Sequence, residues 1–201
     1  MSARDDALTT LRDWSAAPGR QTHLRDAFVA HLEAHPDGLD RSCAAGHLTA
    51  GALVLSPRLG AVLLNLHGKA RQWFHFGGHH EPGDGSLLGT ATREAAEESG
   101  IHDLDVHPVP VHLDRHTVVF CSPHGTVDHL DVRYAALAPV GAEAAASDES
   151  LDVRWWPLDG LPDLEPEMHE LIALARERLA QSSEASGSSG SAAPSIRAPA
   201  E

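Results

Sequence analysis

The chain has 201 residues and a formal net charge of −14 at pH 7, which fits one domain with extensions and argues against nucleic acid held on a basic surface. Hydrophobic residues make up 42% of the sequence, enough for a buried core, and no apolar run approaches the roughly 20 residues of a membrane span. The acidic N-terminus has no apolar signal segment, so we expect a cytoplasmic protein whose two cysteines, Cys43 and Cys121, need not pair.

Two segments with helical spacing come first in the chain. The apolar pattern predicts helices over residues 4–16 and 22–35, separated by Pro18 and Gly19. We interpret residues 1–45 as a helical N-terminal extension of a main domain over residues 46–180. Packing on that domain is the default role of the extension, and completing the substrate pocket or forming a homodimer surface are the alternatives.

Short apolar runs on both sides of a glycine-rich loop predict an α+β fold. In the run before the loop, alternation would place Trp73 and His75 on one face of a strand and Phe74 and Phe76 on the other. A closing helix is predicted over residues 166–180, and the Ser-, Ala-, Gly- and Pro-rich tail over 181–201 is expected to be disordered. The predicted strands cover residues 48–55, 61–66, 71–76, 106–113, 117–121, 132–137 and 153–156.

The most informative stretch runs from Gly77 to Ile101 and has the sequence GGHHEPGDGSLLGTATREAAEESGI. In a helix, Glu94, Glu97 and Glu98 stand at i, i+3 and i+4, so their carboxylates share one face. Like charges so placed repel one another, whereas a divalent cation reverses the sign of the interaction because hard cations bind carboxylate oxygens. The pattern therefore indicates a metal site on a short helix, preceded by a loop that approaches a ligand closely.

This stretch resembles the Nudix box, usually written G-x5-E-x7-R-E-U-x-E-E-x-G-U with U an apolar residue. It departs from that pattern because Asp84 holds the first glutamate position and eight residues, rather than seven, separate it from Arg93. Phe76 also stands where many members have proline. The matching residues are Gly78, Arg93, Glu94, Ala95, Glu97, Glu98, Gly100 and Ile101.

The resemblance implies the Nudix fold, an α/β/α sandwich with a mixed sheet. It also implies Mg²⁺-dependent hydrolysis of a diphosphate linkage in a nucleoside diphosphate derivative or related small molecule, with Mn²⁺ as a substitute ion. The negative charge and the lack of a long apolar run predict neither nucleic acid nor membrane as a partner. Carried over by position, the metal ligands are Glu94, Glu97 and Glu98, joined by the Gly77 carbonyl. Arg93 would orient a carboxylate, with Glu97 as its natural partner.

The general base and the substrate contacts are less closely specified. Glu94 is the first candidate for the base, and Glu149 in a later loop is the second, weighed evenly against a solvated loop charge. Gly78 and His79 are the candidate substrate contacts. The fifteen histidines show no zinc-like Cys/His spacing, and adjacent His79 and His80 would point to opposite faces, so phosphate contact is favoured over a zinc site.

Two other functions are weighed against hydrolysis. One is a Nudix-fold domain that binds a nucleotide-like ligand as a sensor without turnover, which Asp84 and the inserted residue leave open. The other is an isomerase of a prenyl diphosphate, known on this fold. That reaction would require a cysteine and an acid in the pocket, where neither Cys43 nor Cys121 has an evident place.

Overall fold

A computed structural model describes residues 2–122, 125–147 and 150–188, apart from the side chains of residues 120, 122 and 185–188. None of the helices within these ranges combines the length and the apolar character that a membrane crossing requires. The helices are α1 (Ala3–Asp13), α2 (Arg20–Ala34), α3 (Leu87–Ser99) and α4 (Pro166–Ser188). The strands are β1 (His47–Leu55), β2 (Ala61–His67), β3 (Trp73–Phe74), β4 (Phe76–His79), β5 (Asp105–Val106), β6 (His112–Ser122), β7 (Gly125–Leu137) and β8 (Ser150–Pro157).

In the described ranges, eight strands form one mixed sheet with the spatial order β3-β2-β1-β7-β5, to which β4, β6 and β8 add through β1, β7 and β2. Strands β1 and β7 run parallel, with a register from His47↔His129 to Leu55↔Leu137, and the other pairs are antiparallel. All nine residues of β1 are buried, as expected of a strand covered on both faces.

Two apolar cores cover the two faces of this sheet. Alternation along β1 sends Ala50, Ala52 and Val54 to the core formed with α1, α2 and α3, and sends Leu53 and Leu55 to the core formed with α4. The sheet therefore lies between helices, which confirms the predicted α/β/α sandwich.

The N-terminal helices pack on the edge of the sheet through a buried glutamine. Gln21, 2% exposed, donates from Nε2 to the Leu113 carbonyl at 3.0 Å and accepts the Leu113 N–H at 2.7 Å. One side-chain amide thus takes the place of a neighbouring strand along β6. Arg20 adds an ion pair with Asp114 at 2.5 Å. These contacts show packing, and the pocket and dimer roles of the extension stay predictions.

The strand predicted over residues 71–76 is broken at His75. Strand β3 pairs with β2, whereas β4 pairs with β1. Trp73 and Phe74 consequently both pack at the α4 core, and Phe76 is buried in the opposite core. The predicted alternation of these four residues is wrong because it assumed one continuous strand.

Two further boundaries differ from the prediction. The strand expected over residues 106–113 is interrupted, because β5 ends at Val106 and β6 begins at His112, with two prolines between them. Helix α4 continues past the predicted end to Ser188. In its last turns, the hydroxyls of Ser182 and Ser183 donate to carbonyls four residues earlier at 3.0 Å, which supports helix in a segment that composition alone marks as unstructured. Residues 189–201 lie outside the described ranges.

Candidate active site

Helix α3 is fixed by a cap at each end. The Ser86 hydroxyl accepts the Gly89 N–H at 2.9 Å, and Gly100 ends the helix in the left-handed conformation with φ of 72°. Between the caps, Leu87, Ala91 and Ala95 are buried in the core. The apolar face thereby holds the helix against the sheet and leaves the glutamate face toward the glycine-rich loop.

Glycines bring the loop strand β4 unusually close to the centre of the sheet. Gly77 pairs with Gly51 of β1, and a Cβ added to Gly51 would lie 2.3 Å from the Phe76 carbonyl oxygen. A Cβ added to Gly77 would lie 2.8 Å from the Gly51 Cα. Only residues without a side chain permit this approach, which carries the backbone of Gly77 and Gly78 to the carboxylates of α3.

Two of those carboxylates lie directly against the loop. Glu98 accepts the Gly77 N–H at 3.1 Å through Oε2. Glu94 occupies the space that a side chain at Gly78 would need, because a Cβ there would lie 2.4 Å from Glu94 Oε1. The Glu94 side chain is 16% exposed, and burial raises its pKa, against the opposing effect of Arg93. A carboxylate deprived of water in this way is stabilised by a bound cation.

Arg93 connects the loop to the helix. Its guanidinium binds Asp84 through two parallel contacts, Nε to Oδ1 at 2.8 Å and Nη2 to Oδ2 at 3.1 Å. Nη2 also donates to the His79 carbonyl at 2.8 Å, and Nη1 lies 3.1 Å from a carboxylate oxygen of Glu94 and of Glu97. The expected Glu97 partner is present, but the bidentate partner is Asp84.

The shortened acid at position 84 is thus accommodated. The Asp84 side chain is 4% exposed. Burial alone would raise its pKa, but hydrogen bonds from Arg93, from the Glu81 N–H and from the Thr90 hydroxyl lower that pKa to about 2. Asp84 therefore carries a negative charge opposite Arg93 at neutral pH. Gly85, with φ of 69°, turns the chain between this aspartate and the start of α3.

The donor set on α3 suits a hard divalent cation. Glu94, Glu97 and Glu98 offer oxygen atoms only, which Mg²⁺ prefers. Across the described residues, the ligand atoms of these three glutamates are not all within 4.8 Å of one another. Glu97, with a side chain 60% exposed, turns to Arg93, and Glu98 turns to the Gly77 amide. Glutamate side chains on one helix face can converge by rotation, so the residues fit the ion by charge and by donor type.

A family model described as the NUDIX domain matches residues 46–175. The chain belongs to the NUDIX family. Members of this family are generally hydrolases that act on pyrophosphate bonds. No curated protein matches the sequence.

Solved structures with the NUDIX fold resemble this chain at low sequence identity. A NUDIX-family hydrolase from Clostridium perfringens is 23% identical, with a TM-score of 0.51 and coverage of 67% of this chain and 97% of its own. The binary complex of an Ap4A hydrolase from C. elegans is 20% identical, with a TM-score of 0.50 and coverage of 67% and 98%. At this identity the likeness establishes the fold.

The structure brings together some, but not all, of the residues predicted to bind metal, bind substrate or take part in catalysis. Gly77, Gly78, Arg93 and the α3 glutamates form one group, as described above. The ring of His79 points elsewhere: its Nε2 lies 2.8 Å from Cys121 Sγ, and only its backbone carbonyl faces Arg93. Glu149 lies outside the described residues.

Two groups of polar residues were missed by sequence reasoning. The first is a buried network in which Arg133 Nε donates to Asp131 at 2.7 Å and His75 lies 3.3 Å from the same carboxylate. Charged residues inside apolar strands were the available signal. The second is the histidine group around Cys121. Its members come from distant parts of the chain, so no local sequence pattern predicts the group.

Proposed function

We propose that this protein is a Mg²⁺-dependent hydrolase that cleaves a diphosphate linkage in a nucleoside diphosphate derivative or a related small molecule. The bidentate contact of Arg93 with Asp84, at 2.8 and 3.1 Å, carries the proposal. It shows the loop locked to the carboxylate helix despite the altered box. Family membership supports pyrophosphate-bond hydrolysis as the reaction class.

Glu94, Glu97 and Glu98 would hold the ion, with the Gly77 carbonyl as a further donor. When bound, Mg²⁺ supplies charge neutralisation and activation of water. This contribution is needed because the chain carries a net charge of −14 and would otherwise repel a diphosphate.

The residues of the chain provide orientation and a proton acceptor. Arg93 fixes the carboxylate of Glu94 from one side, at 3.1 Å, and Gly78 leaves the space in which that carboxylate sits. We assign Glu94 as the general base, because its carboxylate lies against the loop backbone that is proposed to contact the substrate. Glu149 is the second candidate. Gly78 and the backbone of His79 are proposed to contact the substrate.

The test is hydrolysis of a panel of nucleoside diphosphate derivatives by the purified protein with Mg²⁺, with the products resolved by chromatography. Glu97→Gln and Glu98→Gln should each lower turnover by about 100-fold or more, because each removes ligand charge. Glu167→Gln is the matched control. It makes the same chemical change on a half-buried residue of α4, on the opposite face of the sheet, and should retain turnover.

Two outcomes would contradict the proposal. Wild-type turnover in a folded Glu97→Gln/Glu98→Gln double variant would overturn the metal assignment. Ligand-dependent thermal stabilisation without product would instead identify a sensor domain that binds without hydrolysis. Comparison of Glu94→Gln with Glu149→Gln decides the base, since the variant that lacks the proton acceptor should lose the acidic limb of the pH profile.

A further inference from the structure

Four strands of the sheet bring three imidazoles and one thiol together. His47 begins β1, His79 ends β4, and Cys121 and His129 come from β6 and β7. Strand pairing places these residues together. His47 lies directly opposite His129 in the parallel pair, and His79 lies opposite Thr49, two residues along β1 from His47, in the antiparallel pair. One ligand atom from each of the four residues lies within 4.8 Å of all the others.

One sulfur–nitrogen distance in this group is close to that of tetrahedral coordination, and the other is shorter. With zinc–sulfur and zinc–nitrogen bonds of about 2.3 and 2.0–2.1 Å, the sulfur and a nitrogen of one site lie about 3.5 Å apart. Cys121 Sγ lies 3.7 Å from His47 Nε2 and 2.8 Å from His79 Nε2. The ring centroids of His47, His79 and His129 are 4.9 to 5.1 Å from one another. Because 2.8 Å is shorter than that separation, the His79 ring would rotate away from the sulfur to admit an ion.

Two of these side chains are buried and the other two are half-buried. His47 is 0% and Cys121 7% exposed, and His129 Nε2 is buried without a hydrogen-bond partner in the described part of the chain. Burial lowers the pKa of His129 to about 3, so the ring is neutral at physiological pH and keeps a lone pair for a ligand bond. A buried polar atom without a partner is costly, and a bound ion would satisfy His129 Nε2.

We propose that His47, His79, Cys121 and His129 form a second metal site, which binds Zn²⁺ through one sulfur and three nitrogen atoms. The donors exclude Mg²⁺, which requires oxygen, and match the ligands that zinc takes. Four protein ligands close the coordination sphere, so the ion is structural. Binding converts the Cys121 thiol to the thiolate and releases its proton to solvent.

The proposed zinc site would stabilise the glycine-rich loop of the candidate active site. The His79 ring belongs to the cluster, while the His79 carbonyl accepts a hydrogen bond from Arg93 at 2.8 Å. Zinc bound by these residues would therefore link the glycine-rich loop, which carries Gly77 and Gly78, to strands β1, β6 and β7. The inference does not depend on the proposed hydrolysis, because its readouts are metal binding and thermal stability.

Cobalt substitution of the full chain tests the proposal. The protein is stripped with a chelator, reduced and titrated with Co²⁺. One equivalent should produce a thiolate-to-cobalt charge-transfer band and the intense visible bands of tetrahedral Co²⁺. Zn²⁺ should abolish these bands, and excess Mg²⁺ should leave them unchanged. Zn²⁺ should also raise the melting temperature of the stripped protein.

Variants locate the ion. Cys121→Ser should lose the charge-transfer band, and His129→Asn should bind Co²⁺ at least about 100-fold more weakly. Cys43→Ser is the matched control, since Cys43 is the other buried free cysteine and belongs to a separate group with His35 and Asp37. It should keep both the band and the affinity. His80→Gln controls for removal of a neighbouring histidine.

The proposal is overturned if the wild-type protein shows no charge-transfer band. It is equally overturned if Cys43→Ser loses the band, or if Mg²⁺ displaces the cobalt. Should Cys121→Ser fail to fold, the wild-type and Cys43→Ser spectra still decide, because a thiolate band that survives loss of Cys43 can come only from Cys121.

Discussion

Replacement of Gly78 by alanine should impair catalysis far more than folding. The added Cβ would lie 2.4 Å from Glu94 Oε1, whereas ordinary contact begins near 3.4 Å. The oxygen must therefore retreat by about 1 Å, a misplacement that can cost on the order of 100-fold in rate. The displaced atom is the end of a side chain that can rotate, so the expected loss of stability is about 1 kcal/mol.

The assay is turnover on the best substrate of the diphosphate panel, measured beside thermal unfolding. Gly83→Ala is the control in the same loop, because a Cβ there meets nothing within 4 Å. Gly51→Ala provides the contrast: its Cβ would lie 2.3 Å from the Phe76 carbonyl oxygen, which is backbone and cannot rotate away, so that variant should lose stability. Near-wild-type turnover in folded Gly78→Ala would refute the assignment of Glu94 to the chemistry.

Three further predictions concern stability. Asp84→Asn should cost about 2 kcal/mol of unfolding free energy, the equivalent of a carboxyl pKa lowered from 3.8 to about 2, whereas exposed Asp103→Asn should be neutral in the same urea titration. For the metal-free protein, stability should fall as pH drops from 6.5 toward 4. Burial lowers the pKa of His79 to about 4 and of His129 to about 3, so the unfolded chain takes up protons first, and a urea midpoint independent of pH across this window would contradict the reasoning. Gln21→Leu should lower the free energy of unfolding by about 2–4 kcal/mol, since it leaves a buried N–H and a buried carbonyl of β6 unpaired. Unchanged thermal unfolding would show that the glutamine does not stabilise this edge of the sheet.

Much of the architecture was predictable because the spacing of apolar residues within a short stretch of sequence indicates a helix or a strand. The apolar face of α3, its C-terminal Gly100 and the buried run of β1 each appear within a short window. The metal-binding interpretation of Glu94, Glu97 and Glu98 combined the helical repeat with the resemblance to the Nudix box. That interpretation of their role stays a prediction.

The features that escaped prediction depend on contacts between distant segments. The break at His75 follows from which strand each half of the segment pairs with, and alternation carries no information on partners. The use of Asp84 as the main partner of Arg93 depends on how the loop folds back. The cluster around Cys121 depends on the register of four strands, which brings together residues far apart in sequence, such as His47 and Cys121, 74 positions apart.

The contact of the Gln21 amide with β6 limits where the chain can be truncated. The segment shared with the NUDIX family starts at residue 46, after both N-terminal helices. Truncation at that point would strip the cover from Leu113 and expose backbone donors and acceptors that a second chain could pair with. The shortened protein would then tend to aggregate even with every catalytic side chain in place.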